Sequence, residues 1–162
     1  MSVTVDLIVA CEDWSRDVAN ITPLCEGALA AAVIESQGAS GELALLLTDD
    51  MQMHTLNKLW RQMDKPTDVL AFEAGENPAG LLGDIAIGHG VCTRDAADMG
   101  RPLSEHLVHM VIHGYLHLIG YDHIADHEAH QMQSLEDAAM RRLGFREPYG
   151  VSSPQPATGS TP

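Results

Sequence analysis

The chain is poor in cysteine: three in 162 residues, at 11, 25 and 92, with no C-x-x-C pair and one left over in any pairing. An odd, scattered set does not build a disulfide framework and fits buried thiols in a reducing compartment. Basic residues are also few, 9 Lys+Arg against 23 Asp+Glu, for a formal net charge of −14. That balance argues against a broad basic face that wraps nucleic acid. Net charge describes the far field and not a single cleft, so where the nine cations fall matters more than their number. No segment approaches the roughly 20 consecutive apolar residues of a membrane helix. The start, MSVTVDLIVACEDW, has no basic region ahead of an apolar run and does not read as a secretory signal. The expectation is a soluble, cytoplasmic protein with no membrane partner. A chain of this length buries roughly 70% of the surface it exposes when unfolded, enough for one core without staples.

What is present is a clear alternation of periods. VTVDLIVA (3–10), ELALLLT (42–48), VLAFE (69–73) and LLGDIAIG (81–88) read as strands, the last interrupted by Gly83. Helical patterns cover 20–36, 49–63, 90–98, 102–119 and 125–142. Thr22 and Pro23 read as N-cap and first position of the first helix, with Gly38 closing it. Strands cluster early and helices late. This predicts an α+β fold, a small mixed four-stranded sheet with about five helices packed on it. One domain is expected over 1–147, and the Pro/Ser/Gly-rich stretch 148–162 reads as a disordered C-terminal tail.

HGYLHLIGYDH (113–123) carries the densest chemistry. Its spacing, H-x3-H-x2-G-x2-H, is the frame of the long zinc-peptidase signature H-E-x-x-H-x-x-G-x-x-H, but the glutamate is absent and position 114 is Gly. His113 and His117 lie one turn apart on a helix. Gly120 can end that helix with a left-handed cap, so that the chain doubles back and delivers His123. Three neutral imidazoles with an open fourth position describe a catalytic zinc centre on a central helix and the turn after it. His106 and His109 share the helical face, His127 and His130 follow on the next helix, and Asp122 and Asp126 are spare oxygen donors. A helix face that merely uses histidine as a semi-polar residue is the bland alternative, and it weakens when His113, His117 and His123 are taken together.

A second constellation is NKLWRQMDKPTDVLAF (57–72). Lys58, Arg61 and Lys65 fall within eight positions, and their offsets share a helical face if the helix persists that far. A solvated surface is their ordinary fate, yet in so acidic a chain they form the one basic stripe and the candidate RNA-binding set. Trp60 reads as core. Asp84 sits inside an apolar strand, where a carboxylate is costly unless paired, and is a candidate acid–base group.

Taken together, HGYLHLIGYDH, NKLWRQMDKPTDVLAF and Leu82-Gly83-Asp84-Ile85 resemble the YbeY-type endoribonucleases over roughly residues 1–147. The resemblance implies a zinc-dependent, single-strand-specific endoribonuclease. It would act in rRNA maturation, including the 3′ end of 16S rRNA, and in ribosome quality control. Single-stranded RNA or rRNA and ribosomal subunits would be its partners. The resemblance places one Zn2+ per chain on His113, His117 and His123, and Arg61 in the active-site cleft. The sequence departs from the family's SFP at Ala71-Phe72-Glu73, which adds a negative charge near that cleft. Two other readings remain open on residues alone. One is a zinc peptidase or amidase drawing its carboxylate from Glu73, Glu105 or Glu128. The other is a non-catalytic ribosome-assembly factor with a structural metal.

Overall fold

A computed structural model describes residues 2–122 and 124–151. Ten elements follow in the order β1 (Val3–Val9), α1 (Glu12–Asp17), α2 (Ile21–Ser36), β2 (Gly41–Thr48), α3 (Asp50–Arg61), β3 (Val69–Glu73), β4 (Leu81–Gly88), α4 (His89–Met99), α5 (Leu103–Leu118) and α6 (Asp126–Arg142). The strands form one sheet in the order β1-β2-β4-β3. β1, β2 and β4 run parallel, and β3 pairs antiparallel with β4 as an edge. The α+β expectation of a mixed four-stranded sheet holds, with six helices instead of five. The addition is α1, six residues whose Trp14 is fully buried and donates its indole N–H to the Thr48 carbonyl at 3.0 Å.

Two helix ends differ from their sequence assignments. Asn20, in the left-handed region, is the N-cap of α2, so Pro23 falls within the first turn, where its missing N–H has no intrahelical partner to lose. α3 stops at Arg61 because Gln62 takes a left-handed conformation, so Lys65 lies outside the helix that carries Lys58 and Arg61. Asp49 caps α3 by accepting from the Gln52 N–H at 2.9 Å.

Alternation along the strands decides what each sheet face meets. Leu43, Leu45, Leu47, Ile85 and Ile87 pack with α2 and α5 in the main core. The other face carries Leu46, Leu70 and Ala86, which pack with Met53 and Leu56 of α3. α3 covers that face only in part, leaving Ile8 and Trp60 46% and 58% exposed. Gly83 has φ +143°, and a Cβ there would lie 2.1 Å from the Phe72 carbonyl oxygen, so the glycine in mid-strand is what lets β3 close on β4.

Candidate metal centre and cleft

α5 carries four histidines on one face, and the fold divides them. His106 and His109 are buried, whereas His113 and His117 reach the surface of a cleft. The ring nitrogens Nε2 of His113 and His117 face each other at 3.1 Å. Two imidazoles bound to one tetrahedral metal at about 2.0–2.1 Å each bring their nitrogens to nearly this separation. Behind them, the His113 Nδ1–H donates to Glu136 Oε2 at 3.3 Å. That bond leaves Nε2 as the nitrogen with a lone pair, the arrangement a ligating histidine needs. The donor set therefore fits a metal. α5 ends as its sequence suggests: Gly120 has φ +104°, and Tyr121 N–H returns to the Leu116 carbonyl at 3.0 Å. His123, the expected third ligand, lies outside the described residues.

The glycine at 114 has a packing cause. A Cβ at this position would approach Ile85 Cγ2 to 2.8 Å. The face of α5 that bears the glutamate in the peptidase signature is here pressed against β4, and no carboxylate fits.

The cleft over His113 and His117 has a volume of about 470 Å³ and is also lined by Arg61, Asp68 and Glu73. Arg61 reaches over β3 from the end of α3. Its Nη2 donates to the Ala71 carbonyl at 2.8 Å, and its guanidinium lies 5.0 Å from the Phe72 ring centroid. Trp60 meets the same ring edge-on at 6.3 Å and is exposed in a groove with Ile8 and Asp84, instead of buried in the core as its sequence suggests. Lys58 lies 3.9 Å from Asp64 on the open side of α3, and Lys65 is exposed in the turn beyond it.

Asp84 does not join this group. Its neighbours Gly83 and Ile85 face α5, so by alternation Asp84 points to the opposite face of the sheet, where it lines a groove with Ile8, Trp60 and Phe72. Its carboxylate is exposed there, which removes both the desolvation cost and the acid–base role read from the sequence.

Glu136 is the functional residue that sequence reading missed. It is 1% exposed in the middle of α6. Burial pushes its carboxyl pKa up, but hydrogen bonds from His109 and His113 outweigh burial and hold it at about 2. Its signal was a charge on the buried stripe of Met132, Ala139 and Met140. Tyr149 O–H adds a third bond to it at 3.1 Å. Asp68, Asp95 and His106 form a separate group with ligand-type atoms within 4.8 Å of one another. Arg101 donates to His106 Nδ1 at 2.6 Å, which places the proton of the neutral ring on Nε2 and leaves no imidazole lone pair for a cation.

An imidazole pair backed by a buried carboxylate, with an arginine lining the same cleft, is suited to hold a metal ion beside an anionic group, on an α+β sheet. The chain belongs to the endoribonuclease YbeY family, whose model matches residues 9–144. It is 38% identical over 166 residues to the endoribonuclease YbeY of Rhizobium meliloti (strain 1021), covering 94% of this chain and 98% of that one. With that of Rhodopseudomonas palustris (strain BisB18) it shares 40% over 152 residues, covering 89% and 90%. A solution structure of a Thermotoga maritima protein matches with a TM-score of 0.54 at 20% identity over 96% of this chain and 99% of that one, which supports the fold. Among the described residues no helix is long and apolar enough to cross a membrane.

Proposed function

We propose that this protein is a zinc-dependent, single-strand-specific endoribonuclease acting on rRNA in the cytoplasm, in 16S 3′-end maturation and ribosome quality control. The observation that carries the reading is the paired Nε2 atoms of His113 and His117 facing Arg61 across one cleft. His113 and His117 would hold the zinc, with His123 as third ligand. When bound, the metal supplies Lewis acidity toward a phosphoryl oxygen. Arg61 does the work of orientation. Held at one nitrogen by the Ala71 carbonyl and braced on Phe72, its remaining N–H groups can grip a phosphate bidentately and meet the charge that develops on it. Lys58 and Lys65 lie outside the cleft and would track the strand as it enters.

Single-turnover cleavage of a defined single-stranded RNA, with zinc quantified in each variant, tests the reading. Arg61→Ala should keep zinc and lose a hundredfold or more in rate, since removing a transition-state donor costs on the order of 3 kcal/mol. Arg61→Lys should recover little, because lysine keeps the charge without the planar fork. Lys58→Ala and Lys65→Ala should weaken RNA binding and flatten its salt dependence. Wild-type cleavage rates in Arg61→Ala overturn the assigned role. Of the carboxylates Glu73, Glu105 and Glu128 that a peptidase reading could draw on, Glu73 lines the cleft, so peptide cleavage with RNA left intact would replace the nuclease reading.

A further inference from the structure

Arginine donates and never accepts, and Arg101, just ahead of α5, spends one nitrogen on two histidines. Its Nη2 lies 2.6 Å from His106 Nδ1 and 2.6 Å from His109 Nδ1. Both rings must accept at Nδ1, so in their neutral forms both carry their proton on Nε2. His109 passes that proton's hydrogen bond to Glu136 Oε1, while Glu136 Oε2 takes the Nδ1–H of His113. Arg101 at 9% exposure, His109 at 3% and Glu136 at 1% are buried, and the first two line a cavity next to the cleft that also reaches His113. We propose that Arg101, His109 and Glu136 are positioning residues of the metal centre. In this buried relay Glu136, a carboxylate that only accepts, dictates that His113 carries its proton on Nδ1, while Arg101 fixes the tautomer of His109 at the other carboxylate oxygen. The relay deepens the metal reading of the preceding section and rests on it only for its purpose.

The polarity has a consequence that charge or packing alone would not produce. In Glu136→Gln the side chain keeps its shape but has one accepting oxygen and one donating NH2. Arg101 still holds His109 in the Nε2–H form, so the amide oxygen must turn to His109 and the NH2 must face His113 Nδ1. His113 then accepts at Nδ1 and carries its proton on Nε2, the nitrogen that should meet the metal. Removing Arg101 as well releases His109 to take the Nδ1–H form. The glutamine can then donate to His109 and accept from His113, which returns His113 to its original tautomer.

The test is 15N-imidazole NMR on the metal-free protein at a pH where the rings are neutral, with zinc affinity measured by chelator competition. The wild type should show His106 and His109 protonated on Nε2 and His113 on Nδ1. Glu136→Gln should reverse His113 and weaken zinc by about 10–100-fold, the usual cost of losing such a partner. The double variant Arg101→Met/Glu136→Gln should bind zinc more tightly than Glu136→Gln. A merely structural role predicts the opposite order, since two core lesions add. The relay is overturned if wild-type His113 carries its proton on Nε2, a result that needs no variant to fold, or if the double variant binds more weakly than Glu136→Gln. Tautomers as expected in a protein that binds no zinc would instead leave the relay standing and remove the metal reading.

Discussion

At the residue scale, Gly114 shows how packing overrides a motif. The zinc-peptidase frame calls for glutamate, but any side chain at 114 points into Ile85. Gly114→Ala should therefore destabilise the fold, despite alanine's better helix propensity, by roughly 1–3 kcal/mol, as overpacking of a close-packed core does. Thermal melts read this directly, and a rise in midpoint would show that the helix can move off β4. The histidine pair itself was legible, because i and i+4 spacing on a helix is a local property. The use of Glu136 was not. Its partners lie 27 and 23 residues back along the chain, and only the packing of α6 on α5 brings them together. Asp84 failed for the complementary reason: alternation along β4 showed that it opposed its neighbours, but not which face had lost its helical cover.

At the scale of elements, the periods of the sequence named every strand and the five longer helices. α1 escaped because six residues give little more than one turn of pattern, and its stability comes from burying Trp14 and not from caps. The C-terminal boundary also moved. Composition assigns 148 onward to a disordered tail, yet Asp137, fully buried in α6, accepts from Tyr149 N–H at 2.9 Å and from Val151 N–H at 2.8 Å. Compared with a chain ending at Val151, one ending at Tyr149 should melt lower. One ending at Pro148 should melt lower still, by roughly 1–3 kcal/mol for a buried carboxylate left without its donors. Equal midpoints for all three would show that these hydrogen bonds contribute nothing. The remaining tail, 152–162, lies outside the described residues.

At the scale of the whole molecule, one buried histidine ties global stability to pH. Burial first, then Arg101 and His109, depress the His106 pKa from its ordinary value to about 4. Unfolded, the ring takes a proton near ~6.5. The folded form therefore holds its full advantage above ~6.5 and loses it as pH falls toward 4, by up to roughly 1.4 kcal/mol per pH unit in that window. Denaturant unfolding with a chelator present should show this slope, and His106→Asn should flatten it. An unchanged slope in the variant would assign the effect to other groups. A net charge of −14 works in the opposite sense, since protonating carboxylates relieves self-repulsion, so the difference between the two proteins is the informative quantity.

The two tryptophans divide the molecule optically. Trp14 is sealed in the core, while Trp60 stands 58% exposed beside Phe72, its carbonyl 3.4 Å from Arg61 Nη1. A collisional quencher such as iodide reaches only the second, so the chain carries its own pair of fluorescent reporters. Emission lost to quencher reads the surface around Trp60 and Phe72, the ring on which Arg61 rests, and emission retained reads the core. An RNA strand gripped by Arg61 should change the first signal through Phe72 and the neighbouring Trp60 and leave the second unchanged, which would allow engagement of Arg61 to be followed in native protein with no added label.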